Sequence, residues 1–321
     1  MNKKQRGLLI LAALGLGWWL LDSFVFWQEL SEQRYALHTW TEIKVICRSR
    51  AQGRRAIDAA FARMHELEKK FDYFDPDSEL TQVNQKAFRQ EMPLSADLHA
   101  LLALALSGSE ISGGAFDITV TPLSRLYGFG TDKKQAPDQR QIQDQLPGVG
   151  WQNARLDSQK QTVRLLHNRT QLDLGGIAKG YAVDEAVKVL RQSGIRSALV
   201  NAGGNIYALG QNRGQPWRIA VRNPRAVTEN LQIFELRDEA CATSGDYEQY
   251  FTVHGQRYSH IFNPQTGRPA NLENNLASVT VIADSAARAD LLSTACFVLG
   301  EEKSAIFPER KFFYYSTEIT R

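Results

Sequence analysis

Cysteine is scarce in this 321-residue chain: Cys47, Cys241 and Cys296 are the three present, and none forms a C-x-x-C pair. That argues against zinc-ribbon and thioredoxin-like chemistry, and the odd number leaves at least one free thiol. Cys47 in "IKVICR" and Cys296 in "TACFVLG" lie in apolar runs, the setting of a buried, inert thiol. Excess charge of one sign is lacking too. Lysine and arginine total 38 against 35 acidic residues, a net charge of +3, too small to suggest a nucleic-acid partner. The sequence contains no nucleic-acid-binding motif, internal repeat or low-complexity linker. Walker A, G-x-G-x-x-G and the G-x-S-x-G elbow of a serine hydrolase are all absent. What remains is the composition of a globular protein, 43% hydrophobic and 23% charged.

Long apolar runs are also lacking, except at the N-terminus. "MNKKQRGLLILAALGLGWWLLDSFVFWQEL" opens with Lys3, Lys4 and Arg6, and an uncharged run follows from Gly7 to Leu21. Extended past Asp22 to Trp27, the segment as a helix reaches roughly 30 Å, about the thickness of a bilayer core. Positive charge at the start predicts an N-terminus inside and a body outside the cytoplasm. No small-x-small cleavage site follows, which favours an uncleaved signal anchor over a removed signal peptide. The expected organisation is a single-pass inner-membrane anchor over 1–30 and one extracytoplasmic (periplasmic) body over 31–321. Residues 28–35 read as a polar tether.

In the body, "HTWTEIKVICR" alternates like a strand. Ile57, Phe61, Met64, Leu67 and Phe71 form a helical stripe, and Ser78 and Ser95 suit helix N-caps. "YAVDEAVKVLRQSGI" and "SAARADLLSTACFVLG" read as helices. "SALVNAGGNIYALG", "WRIAV", "LQIFEL", "YFTV", "YSHIF" and "LASVTVIAD" read as strands. Strands in runs with helices between them predict a compact α+β body with largely antiparallel sheets.

Several clusters carry chemistry. "LDLGGIAKGYAVDEA" places Asp173, Gly175, Gly176, Lys179 and Gly180 at an apparent strand end before a helix. Glycine allows close backbone approach and positive φ, and a helix start attracts anions; the plain alternative is a strand-to-helix turn with a solvated lysine. Asp290, Ser293 and Thr294 share one helix face and offer oxygens to a hard cation such as Mg²⁺; the alternative is a solvated polar face. His260 is a candidate proton carrier, or a strand histidine satisfied by its neighbours. Ala115, Phe116 and Asp117, read as a loop entering a strand, suit a ring pocket or a capped glycine turn. Phe74 suits stacking on an aromatic ligand or ordinary packing.

In order, "DPDSELTQVNQ", "GGAFDITVTPL", "DLGGIAKGYAVD", "VNAGGNIYALG", "ATSGDYEQYF", "HIFNPQTGRP" and "SVTVIADSAARADLLSTACFVLG" closely resemble the successive signatures of the ApbE family. The resemblance spans residues from about 40 to about 315. It implies an ApbE-like (T-fold-like) α+β fold with FAD in a cleft between sheet layers. It also implies an FAD:protein FMN transferase, joining FMN through its phosphate to a threonine or serine of an acceptor flavoprotein, with AMP leaving. Mg²⁺ is the implied cofactor and FAD the substrate. By resemblance, Phe74, Ala115, Phe116, Asp117, Asp173, Lys179 and Phe262 contact FAD. The Gly176 backbone oxygen, Asp290 and Thr294 bind the metal, and His260 is the base. Ser293 stands where some members carry an acid beside the metal, and Leu37-His38-Thr39 replaces the family's early Met-Gly-Thr. Two other readings remain open: an FAD pyrophosphatase with water as nucleophile, and a flavin carrier without chemistry.

Overall fold

A computed structural model describes residues 27–307 and 311–316. The proposed anchor, apart from its last residues, lies outside the described residues. Among those described, no helix is long and apolar enough to cross a membrane.

The chain begins with β1 (Gln28–Ala36), β2 (Thr39–Cys47), α1 (Arg50–Phe71), α2 (Glu79–Lys86), β3 (Met92–Pro93) and α3 (Ala96–Ile111). It continues through α4 (Thr121–Leu126), α5 (Gln139–Gln145), β4 (Ala154–Asp157), β5 (Thr162–Leu165), α6 (Ala178–Gln192), β6 (Ala198–Ala202) and β7 (Asn205–Leu209). Then come β8 (Trp217–Asn223), β9 (Ala226–Leu236), β10 (Glu239–Gly245), β11 (Tyr250–Val253) and β12 (Gln256–Ser259). The last elements are α7 (Asn271–Asn274), β13 (Leu276–Ala283), α8 (Ala286–Lys303) and β14 (Lys311–Ser316).

Seven strands form the main sheet in the order β1-β2-β6-β7-β10-β13-β14, and every neighbouring pair is antiparallel. This is the α+β body expected from the sequence. Helices α1, α6 and α8 pack on one face. The stripe Ile57, Phe61, Met64, Leu67 and Phe71 is buried, each such side chain stabilising the fold by roughly 1.5–3 kcal/mol. On the other face, the β8–β9 ribbon brings Trp217, Ile219 and Leu236 onto Ile46, Cys241 and Ile282. Strand β13, flanked by β10 and β14 and mostly apolar, is buried at all eight positions. A third, separate cluster joins Leu123, Tyr127, Phe129 and Ile142 to Phe251 and Phe262.

The β6–β7 turn uses Gly203 (φ 58°) and Gly204 (φ 95°), the left-handed pair a tight hairpin requires. Ser49, Ser78 and Ser95 cap α1, α2 and α3 by accepting from Gln52, Thr81 and Leu98 N–H. All three cysteines are buried thiols outside any disulfide, and burial pushes the Cys241 thiol up to about 12.

The structure corrects three readings. Gln28–Ala36, read partly as anchor and partly as tether, is strand β1, paired with β2 along its whole length. Its inward positions hide the alternation, because Glu32 and Arg34 point to the helix side and ion-pair there, Arg34 lying over the Phe61 ring. Ala115–Val120 enters helix α4 rather than a strand, and Pro122 lies in that helix's first turn, where its missing N–H costs nothing. Leu172–Leu174 is in no ladder; Asp173 N–H instead donates to Ile118 O at 2.8 Å.

Candidate active site

Helices α6 and α8 cross at Gly180. A β-carbon there would lie 2.3 Å from Ala286 O, so only glycine lets the two backbones meet. Asp184 fastens the crossing: its carboxylate accepts from Ala286 N–H at 2.8 Å and Ala287 N–H at 2.9 Å, at the start of α8. One turn further on, Asp290 is buried and accepts from Gly180 N–H at 3.1 Å. Gly176 backs directly onto Thr294 and Phe116; a β-carbon there would lie 3.3 Å from Thr294 Oγ1 and 3.2 Å from the Phe116 ring. Neither Gly176 nor Gly180 has positive φ, so these glycines serve close approach and not an unusual turn. The loop is fixed by Asp173, whose Oδ1 accepts from Gly175 N–H at 2.8 Å, and by Lys179 Nζ, which donates to Gly175 O at 2.9 Å.

The hydroxyls of α8 divide by exposure. Ser293 and Thr294 both donate to Asp290 O, at 2.9 and 3.2 Å. Ser293 is fully buried and also meets Ser244 Oγ at 2.8 Å; Thr294 is only half-buried and reaches the cleft.

The third cluster carries His260. Phe129 lies 6.4 Å from the His260 ring and 5.8 Å from that of Phe262. Phe262 is buried against Tyr127 at 4.9 Å, so it is core that backs the wall. The half-buried His260 ring places Nδ1 3.2 Å from Gln249 O. A carbonyl only accepts, so Nδ1 carries the proton and Nε2 keeps its lone pair. At the far end Phe74 is exposed and packs on Gly130 and Tyr73.

Asp117 lies in the adjoining loop, buried, with Oδ1 accepting from Thr119 N–H and Oγ1 and Oδ2 from Trp151 N–H, at 2.6–2.7 Å. It shapes the loop that sets Ala115 and Phe116, and its capacity for a ligand is what those bonds leave over.

Burial dominates the electrostatics. It raises the carboxyls of Asp290, Asp173 and Asp117 above the ordinary aspartate range, and the Lys179 charge opposes this for Asp290 and Asp173. It pulls His260 down to about 4, and Lys179 pushes the same way. The Glu248 carboxyl is raised by its protein surroundings and by Asp290, against Lys179. Lys179 thus acts on Asp290, Glu248 and His260 at once, which puts both sides of the cleft in one field.

The structure therefore brings together Gly176, Asp290 and Thr294, with Phe116 behind Gly176, and Lys179 acts on both Asp290 and His260. It places Ser293 and Phe262 in packing. The sequence reading missed Asp184, Asn205 and Gln249. Asn205 is buried beside Asp290, with a hydrogen bond to it and with its Oδ1 unpartnered; its place after Gly203-Gly204 was the available signal. Gln249 acts through its carbonyl, which no side-chain pattern reports.

An antiparallel sheet of this topology under packed helices, with a glycine turn locked against an Asp/Thr helix face, defines an α+β protein. The ApbE family model matches residues 37–312, and the chain belongs to the ApbE family and is a transferase. It is 35% identical over 257 residues to the FAD:protein FMN transferase of Haemophilus influenzae, covering 78% of this chain and 74% of that one. It is 34% identical over 284 residues to the FAD:protein FMN transferase of Treponema pallidum, covering 82% and 78%. The flavinyl transferase ApbE of Pseudomonas stutzeri, solved in its apo form, superposes with a TM-score of 0.78 at 32% identity, over 91% of this chain and 95% of that one.

Proposed function

We propose that this transferase moves FMN from FAD to a threonine or serine hydroxyl of an acceptor flavoprotein. The observation that carries the reading is the junction of the glycine turn with α8, Gly176 on Thr294 and Gly180 N–H on Asp290, with Lys179 of that turn acting on His260. In the reaction the acceptor hydroxyl oxygen bonds to the FMN phosphorus. The bond from that phosphorus to the bridging pyrophosphate oxygen breaks, and AMP leaves. His260 Nε2 takes the hydroxyl proton. Its depressed basicity keeps it neutral in the resting enzyme, and the negative charge of a bound pyrophosphate favours the protonated form as the proton arrives. Lys179 faces the same charge, while Phe74 and Phe116 flank the rings of the ligand. Positioning and charge neutralisation are what phosphoryl transfer chiefly needs.

The donor set fits Mg²⁺. The Gly176 backbone carbonyl, the Asp290 carboxylate and the Thr294 hydroxyl are all oxygen donors, and Asn205 Oδ1 is buried beside Asp290 without a partner. Among the described residues, no group of three or more His, Cys, Asp or Glu side chains is arranged to hold a metal, and one carboxylate plus substrate phosphates suffices for this ion. When bound, Mg²⁺ supplies charge neutralisation for the pyrophosphate and its leaving group. Ser293, buried and hydrogen-bonded on both sides, braces Asp290 and Ser244. The apolar N-terminal run supports a membrane-anchored enzyme working on an extracytoplasmic redox partner.

The full chain incubated with FAD, Mg²⁺ and a candidate acceptor gives a fluorescent acceptor band in a denaturing gel and an equal amount of AMP. FMN and AMP without labelled acceptor point to a pyrophosphatase; retained FAD with neither product points to a carrier.

A further inference from the structure

The turn between β1 and β2 holds two side chains in left-handed backbone, Leu37 at φ 57° and His38 at φ 58°. Such turns favour glycine, asparagine or aspartate, because a β-carbon crowds the backbone there. Leu37 is compensated by packing on the main core. His38 is not, since its side chain is 55% exposed. A strained residue kept without core packing points to a local task.

Its contacts converge on Phe74. Nε2 lies 2.9 Å from Asp72 Oδ2, and its backbone N–H donates to Glu68 Oε1 at 3.3 Å. The other oxygen of Asp72 accepts from Phe74 N–H at 2.8 Å. One carboxylate therefore holds the histidine ring and the phenylalanine backbone together. The His38 ring also meets Phe74 edge-on, with centroids 6.0 Å apart. Tyr73 meets it edge-on at 5.3 Å, and Gly130 leaves just enough room, since a β-carbon there would lie 3.0 Å from the ring. Yet Phe74 is 67% exposed. An aromatic ring clamped from three sides and left open otherwise is a stacking platform formed in advance, which lowers the ordering cost of binding.

The geometry points to His38 as a positioning residue that, through Asp72, sets the Phe74 ring as the wall on which the flavin end of FAD stacks. The inference rests on the FAD reading given above. Glycine at position 38 suits the observed backbone, so H38G removes the side chain without disturbing the turn. In the full chain, H38G leaves Tm at or above that of wild type. It raises KM for FAD about two- to tenfold, the worth of one aromatic contact, while kcat changes less. F74A raises KM as well, and H38G/F74A is no worse than F74A alone. The proposal is overturned if F74A raises KM but H38G does not, or if the two effects multiply. If F74A leaves KM unchanged, the flavin-wall assignment of Phe74 falls and takes the role of His38 with it. If wild type neither binds nor turns over FAD, the underlying reading fails instead.

Discussion

The tautomer of His260, the proposed base, is dictated by Gln249 O, which leaves the Nε2 lone pair available. Replacing His260 by glutamine lowers kcat by about 10²–10⁴, the ordinary worth of a positioned general base, with FAD binding retained by fluorescence titration. Its folded value near 4, against 6.5 when free, puts the acid limb of kcat/KM close to pH 4. The same shift acts on stability. Between those values the unfolded chain binds more protons, so this contribution is complete above about pH 6.5 and is lost as pH falls toward 4. The Tm difference between H260Q and wild type therefore moves in favour of the variant from pH 7 to pH 5, which paired melts at the two values check. Asp290→Asn keeps an acceptor for Gly180 N–H but removes the charge. Turnover loses its Mg²⁺ dependence while Tm changes by only a few degrees; full Mg²⁺-dependent activity in that variant removes Asp290 from the donor set.

At the scale of elements, the crossing of α6 and α8 sets the site. Gly180→Ala puts a methyl group into the Ala286 carbonyl and forces the helices apart, costing about 1–3 kcal/mol of stability and displacing Asp290. Activity falls more than the melt predicts. Asp184→Ala leaves two N–H groups at the start of α8 without their acceptor, worth about 1–2 kcal/mol, read as a lower denaturation midpoint at unchanged m-value. Much of this was legible in the sequence. The stripe of α1 and the serine caps announced themselves through local pattern, as did β13 through its mostly apolar and β-branched residues. Strand β1 did not, because its inward Glu32 and Arg34 break the alternation that reveals a strand. Strand β10 hid in "EACATSG", whose small residues let α8 lie close to the sheet. In the site, the convergence of residues more than a hundred positions apart, such as Gly180 and Asp290, left no local trace; the order of motifs pointed to it. Ser293 and Thr294 share a helix face in the sequence, and only packing tells the buried one from the one that reaches the cleft.

Across the whole molecule, the site divides between two bodies of packing. Gly176, Asp290 and Thr294 belong to the layer of sheet and helices, while His260 and Phe262 are carried by the small cluster around Tyr127, Phe129 and Phe251. The smaller body has less buried apolar surface to hold it. Amides of α4, α5 and β11 are expected to exchange with deuterium faster than those of β7, β10 and β13, and to slow when FAD is added. Under the proposed function the boundary between the two bodies is a seam, and a dinucleotide lying along it would be a stitch. With FAD as the proposed ligand, thermal unfolding would become a titration: each tenfold rise in FAD above its Kd would add about 1.4 kcal/mol, leaving the enzyme sturdiest when loaded.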